Sequence, residues 1–389
     1  MKKEILQSKR KSYFNFCESL KKETGPLQWK KIKWLTKSNK FSIPTLEYQN
    51  FKITKDIEKA SILMMQYRKT SREYNNKFNR NHKIFIEREV NRKNRSQFFN
   101  ERTRTSEKRT RTNKKTAKNI LVQTQISPNN QKYSYDIMLT VKEIQRAVSN
   151  IKINAPGGDK INNWFLKNLP LDVLKILLFI FNKSYTEGEF PKVWKTADII
   201  PIFKTGKDPK NPINYRPISL LSCLGKLMEK IIYNRLYWIS EKCGFLSDEQ
   251  CGFRQRKSTL EPLIRLTQDI HRGFSTKSST YVVFLDISKA YDTVWKDGLR
   301  FKLYQKGVRG RLLLWISDYL ANRKGRVKLN DCSSNLMNLE CGVPQGSVLS
   351  TLLFILYIDD VRSEVKNCEI SIFADDIAIW IVENDFKNA

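Results

Sequence analysis

The chain has 389 residues, 71 Lys+Arg against 39 Asp+Glu, a formal net charge of +32 and a pI near 9.8. That length is a prior for about two to three domains, and the cation excess makes a polyanion the expected partner, either nucleic acid or an anionic membrane surface. Seven scattered cysteines without a CxxC pair and two isolated histidines argue against a zinc site or disulfide framework. They read as reduced thiols of an intracellular protein, and no apolar run is long enough to span a membrane.

In chain order, "LQWKKIKWL" (27–35) predicts a small amphipathic helix. From Arg80 to Lys118 fourteen Lys/Arg stand against four acids, with no Pro or Gly. This stretch is expected to be a charged helix or partly disordered, either a solvated face or a surface that tracks phosphates. A globular pattern begins past Tyr133. "TVKEIQRAVSNIK" spaces Val141, Ile144, Val148 and Ile151 as a helix, with Thr140 as its N-cap. "NAPGGDKI" breaks it and "DVLKILLFIFNKSY" is a second, strongly apolar helix. "ADIIPIFK" (197–204) reads as a strand, "KTGKDPKNPINYRP" as a loop, and 220–242 as a long helix. "TYVVFLDIS" (280–288) is a β-branched, nearly continuous apolar strand of the buried kind. Helices and strands alternate from there, so the class is α+β or α/β.

Two aspartate pairs follow. "SVLSTLLFILYIDDV" forms a broad apolar helical face, so Asp359-Asp360 falls near a helix C-terminus, where the dipole disfavours acids and a solvated end is expected. "EISIFADDIAIW" alternates around Ala374-Asp375-Asp376 and predicts two strands joined by a tight turn at the acids. That makes Asp375 and Asp376 the candidate site pair. Asp286, at the end of the strand "YVVFLD", is the third acid, because a strand terminus is where ligands bind. Three converging carboxylates need a cation, and hard oxygen donors suit Mg²⁺, with Mn²⁺ as an alternative. Two such ions about 3.5–4 Å apart would activate a primer 3′-hydroxyl and stabilise the leaving pyrophosphate. Three unrelated surface acids are the plain alternative.

The stretches "NAPGGDKI", "IIPIFKTGKDPKNPINYRPISLLSCLGKLMEKII", "LSDEQCGFRQRKST", "VVFLDISKAYDTVWKDGL", "CGVPQGSVLSTLLFILYIDD" and "FADD", in this order, resemble the reverse transcriptase of a non-LTR (LINE-type, jockey-like) retrotransposon. The resemblance implies an α+β right-hand polymerase, with fingers and palm at 185–389, a helical lead-in at 126–184 and a basic, mainly helical linker region at 1–125. It implies that Asp286, Asp375 and Asp376 bind the metals with help from the Ile287 carbonyl. Lys204 and Arg216 would reach the incoming triphosphate, a point charge and a fork suited to phosphate oxygens. Tyr291 would exclude a ribose 2′-hydroxyl, Gln345 would contact nucleotide and template, and Gly346 would allow close backbone approach. Arg254, Arg256 and Lys257 would meet the template backbone, while Ser258 or Thr259 would serve only as a helix cap. The implied partners are an RNA template, a DNA primer or target and deoxynucleoside triphosphates, with no membrane, no obligate protein partner and action in the nucleus. The chain departs from the family at Asp359 (usually Asn), Thr351 (usually Pro) and Asn154 (usually Lys). It is also expected to lack the thumb and to be a truncated fragment. A nucleic-acid-binding remnant without catalysis is the alternative.

Overall fold

A short hairpin begins the described fold, β1 (Leu46–Tyr48) and β2 (Phe51–Ile53), turning through Gln49 and Asn50 at φ 49° and 67°. The two φ > 0 positions match the twist such turns require. The computed structural model describes residues 42–77, 84, 88–89, 136–152 and 155–383. The "LQWKKIKWL" helix, nearly all of the 80–118 segment and Asn154 lie outside the described residues.

Helix α1 (Asp56–Lys77) buries Ala60, Leu63 and Met64 and packs on strands of the central sheet. Helix α2 (Val141–Ser149) starts as its sequence predicts: Thr140 Oγ1 accepts from Glu143 N and Glu143 answers to Thr140 N, a reciprocal cap. Helices α3 (Asn163–Lys167) and α4 (Leu171–Glu187) follow, and α4 stops at Gly188, φ 68°. Strands β3 (Thr196–Phe203) and β4 (Tyr215–Leu220) make an antiparallel hairpin, with Ile202 opposite Arg216. Helix α5 (Cys223–Lys242) is capped by Ser222 Oγ, and α6 (Leu260–Thr276) leads into β5 (Ser279–Asp286). Then come α7 (Ala290–Thr293), α8 (Lys296–Gln305) and α9 (Gly310–Leu320). Strands β6 (Lys324–Leu329), β7 (Cys332–Ser333) and β8 (Met337–Asn338) precede α10 (Ser350–Ile358), α11 (Val361–Glu364), β9 (Glu369–Phe373) and β10 (Asp376–Glu383).

Two sheets carry the architecture. One is ordered β4-β3-β6-β7, with β8 also on β6 and β3 parallel to β6; the other is β5-β10-β9, antiparallel throughout. The core lies among α5, α8, α9 and α10. Helix α10 is apolar all round because it is buried all round. An aromatic cluster joins the segment after α4 to α9, with Phe190 edge-on to Trp315 and Tyr319 at 5.2 Å each. Among the described residues no helix is long and apolar enough to cross a membrane.

Two expectations are corrected. Strand β5 is not of the buried kind: Val283, Phe284 and Leu285 are 56%, 72% and 47% exposed. It is an edge strand of a three-stranded sheet, so apolar content there does not mean cover on both faces. Nor is Asp359 a solvated helix end. It is buried, accepts from Ser247 N at 2.8 Å and pairs with Lys306 Nζ at 2.9 Å, which outweighs the unfavourable helix dipole. Asp360 does stay exposed, against Lys302.

Candidate active site

Strand register assembles the acids. Asp376 opens β10 directly opposite Asp286, the last residue of β5. Such pairs hold their Cβ atoms about 4.5–5.5 Å apart on one face. Asp375 sits in the two-residue turn between β9 and β10, and its carbonyl accepts from Ile287 N at 3.2 Å, tying the turn to the exit of β5. The turn needs Ala374 at φ 56°, a strained setting for a side-chain-bearing residue.

That turn is braced from outside the hairpin. Fully buried Gln250 accepts through Oε1 from Ala374 N at 3.1 Å and Gly252 N at 2.8 Å. Its backbone bridges Ile372, and a Cβ on Gly252 would meet Ala374 N at 2.4 Å.

The acids border two hollows. A cleft of about 360 Å³ is lined by Asp286, Ile287 and Asp375, whereas a second, smaller hollow is lined by Asp286 and Asp376. Among the described residues no three His, Cys, Asp or Glu side chains are drawn into one ready metal cluster. The donor chemistry nevertheless suits a hard divalent ion. Burial raises the Asp375 carboxyl above its usual range, and the charges of Asp376 and Asp286 raise it further, against the pull of Arg216. Carboxylates that repel one another in this way gain from a cation.

The cleft also gathers Lys204, Arg216, Tyr291 and Gln345. Lys204 follows β3, its N–H bonded to Asn214 O, and shares side-chain parity with Ile202, the partner of Arg216; both cations therefore face the same side of the hairpin. The Tyr291 ring stacks on Phe354 at 4.9 Å, while its buried hydroxyl has no hydrogen-bond partner. Burial and the charge of Asp375 raise the pKa of that phenol. Gly346, at φ 107°, lets the chain approach β4: a Cβ would meet Ser219 O at 2.7 Å. The close approach is thus to the protein's own strand.

The basic run splits. Arg254 is turned inward, bidentate on Glu241 and donating to Ser247 O and Gln250 O, with 8% of its side chain exposed. Its assignment to the template backbone is therefore corrected: its guanidinium is used up in bracing the loop. Arg256 is exposed and Lys257 pairs with Glu261 at 3.0 Å. Ser258, rather than Thr259, makes the cap contact, accepting from Leu260 N at 3.3 Å.

Sequence reasoning missed further lining residues: Tyr67 and Thr70 from α1, Lys289 and Asp292. Lys289 Nζ donates to Thr70 Oγ1 at 2.9 Å. The apolar spacing of Ile57, Ala60, Leu63 and Met64 could have revealed α1, and the second acid of "DISKAYD" could have drawn attention to Asp292.

Comparison with known proteins places one segment of the chain. Residues 207–385 match the reverse transcriptase (RNA-dependent DNA polymerase) family. Residues 207–385 are a segment of reverse transcriptase type. It is 37% identical over 254 residues to the probable RNA-directed DNA polymerase from transposon BS of Drosophila melanogaster, covering 63% of this chain and 28% of that protein. It is 34% identical over 249 residues to the RNA-directed DNA polymerase from mobile element jockey of the same species, covering 62% and 27%. Against the probable polymerase from transposon X-element it is 35% identical over 260 residues, covering 64% and 28%. The chain thus spans little more than a quarter of these relatives. Its reverse transcriptase domain mixes helices with two sheets, and the family uses divalent metal ions. Helix α1, though outside the matched segment, lines the domain's cleft.

Proposed function

We propose that the chain is the RNA-directed DNA polymerase of a jockey-like non-LTR retrotransposon, extending a DNA 3′-hydroxyl on an RNA template. One observation carries the reading: Asp286 lies opposite Asp376, with Asp375 in the adjoining turn, and Asp286 and Asp375 line a cleft together with Lys204 and Arg216. Asp286, Asp375, Asp376 and the Ile287 carbonyl would hold two Mg²⁺ ions. When bound, these would neutralise the carboxylates and favour the alkoxide form of the primer terminus. Lys204 and Arg216 orient the triphosphate, which positions the α-phosphorus for attack. Tyr291 forms the floor under the sugar, and Arg256 and Lys257 meet the template backbone. The fingers-and-palm division at 185–389, the lead-in at 126–184 and the basic region at 1–125 belong to the same reading.

A second reading, nucleic-acid binding without catalysis, is favoured by the division of the three acids between two hollows. Primer extension on poly(rA)·oligo(dT) with Mg²⁺ separates the two. Asp375→Asn is expected to abolish extension. Asp359→Asn, which keeps an acceptor for Ser247 N and loses only the pair with Lys306, is expected to lower Tm and leave extension in place. Equal loss in both variants would sink the assignment of the acids. Template binding without extension by the unaltered chain would establish the second reading.

A further inference from the structure

We propose that Asp292 is a positioning residue that fixes the Gln345 carboxamide with its nitrogen inward and its oxygen toward the nucleotide cleft. The inference deepens the polymerase reading and rests on it. Gln345 Nε2 lies 2.9 and 3.0 Å from the two carboxylate oxygens of Asp292. An ionised carboxylate only accepts hydrogen bonds, so only the NH₂ end of an amide can face it. The amide oxygen is left pointing away from Asp292, and both residues line the cleft.

The backbone around this pair is already immobilised. Gln345 O accepts from Ser219 N at 2.7 Å, and the preceding residues are tied to α7 and its C-cap through Val343 N to Tyr291 O and Gly342 N to Val294 O, both 2.8 Å. A Cβ on Gly342 would meet Asp292 O at 2.8 Å, so the loop cannot shift inward as a whole. The remaining freedom is rotation of the amide, and Asp292 removes it. Asp292 stands six positions past Asp286 and does not border the hollow shared with Asp376. Its charge is held by Lys289, on the turn before α7, and Lys204, after β3, while Tyr67 of α1 faces it.

A fixed amide oxygen has a chemical consequence. It repels phosphate oxygens and accepts from a hydroxyl or amino group. Lys204 and Arg216 therefore take the triphosphate, while Gln345 takes a donor on the sugar or base of the same nucleotide. Burial lifts the Asp292 carboxyl to about 6, against the pull of Gln345 and the two lysines. Protonated below that pH, it could donate to the amide oxygen and turn the amide round.

The test is calorimetric titration of dTTP with Mg²⁺ into the full chain, with Asp292→Asn, Gln345→Leu and the double variant. Asparagine keeps the volume but both donates and accepts, so it no longer selects one orientation. Each single change is expected to weaken binding about three- to tenfold, and the double to bind no worse than Gln345→Leu alone. Wild-type binding should also weaken on acidification through pH 6 by a margin that neither single variant shows. Protonation of the triphosphate affects all variants alike. The inference is overturned if Asp292→Asn binds as wild type does, or if the two losses multiply. Should Asp292→Asn fail to fold, Gln345→Leu decides alone: an undiminished acid loss in that variant overturns the inference. If the unaltered chain does not bind dTTP, the polymerase reading itself falls and takes this one with it.

Discussion

Tyr291 presents a ring whose hydroxyl serves no partner. Its buried Oη is unpaired while the ring stacks on Phe354 beside Asp375. A residue kept for its shape should tolerate loss of the hydroxyl but not of the ring. Tyr291→Phe is expected to change stability by less than about 0.5 kcal/mol, since no protein hydrogen bond is lost. Tyr291→Ala is expected to lower the ratio of kcat/KM for dGTP over GTP by about ten- to two-hundredfold, the value of a lost clash. An unchanged ratio would make Tyr291 a core aromatic only. Glu143 supplies a pH test at the same scale. Burial pushes its carboxyl up, but the bidentate contact with Arg235, at 2.7 and 2.9 Å, and the Thr140 cap leave it below the usual range. A folded-state pKa below the unfolded one contributes stability that is present above the unfolded value and lost as pH falls through the folded one. Acid unfolding curves should therefore show Glu143→Gln costing stability near neutrality, with the difference from wild type shrinking as pH drops below about 4.3. These residues differ in how legible they were. Alternation around Ala374 exposed Asp375 and Asp376, and the helical spacing from Val141 to Ile151 exposed Thr140 as its cap, though not the reciprocal contact from Glu143. Asp359 was misread because its partners, Ser247 and Lys306, are remote in sequence.

The β9–β10 hairpin shows the same limit for a whole element. Its strands and turn follow from period-two alternation, and β10 emerges with the expected acids at its start. The brace beneath it does not follow from any local pattern, because Gln250 and Gly252 meet Ala374 over more than 120 residues of intervening chain. In the sequence, "EQCGFRQRKST" reads as a basic loop; in the fold its first half supports the turn and Arg254 locks that half to α5. Gly252→Ala would force a methyl to within 2.4 Å of a backbone nitrogen, so the turn must move. The expected cost is about 1–3 kcal/mol in unfolding free energy, accompanied by a fall in kcat larger than any change in template affinity. A Tm and kcat both equal to wild type would show that the turn does not depend on this support. The exposure of β5 was illegible for a related reason: apolar content reports what a strand could bury, whereas its place at a sheet edge decides what it does bury.

For the molecule as a whole, the net charge of +32 sets the expectation for binding. RNA affinity should fall linearly with the logarithm of salt concentration, with about 0.7 of slope per phosphate contact on a single strand. Deleting residues 80–118 should flatten the slope, as measured by filter binding across a salt series. An unchanged slope would move the contact surface to Arg256, Lys257 and the cations of the cleft. Past Tyr133 the helices at 141–149 and 171–187, the strand at 196–203, the 223–242 helix and the β9–β10 hairpin were legible, whereas β4, read as loop, and α6 were not. Helices and strands do not alternate after β5 as expected, and the joining of distant segments was not legible either. Phe190 N donates to Asp318 at 2.6 Å, Lys195 pairs with Asp318 at 2.9 Å, and Gly188 lies against Leu314 with no room for a methyl. This seam joins chain on either side of residue 207, where the family match begins. It sets a rule for recombination with relatives. A chimera crossing over at 207 would set one parent's Phe190 and Lys195 against the other parent's α9, and two separately drifted surfaces would have to fit at van der Waals distance. Shuffled elements should therefore remain foldable when the exchanged block carries both sides of the seam, and fail when the block is cut to the boundaries of sequence similarity.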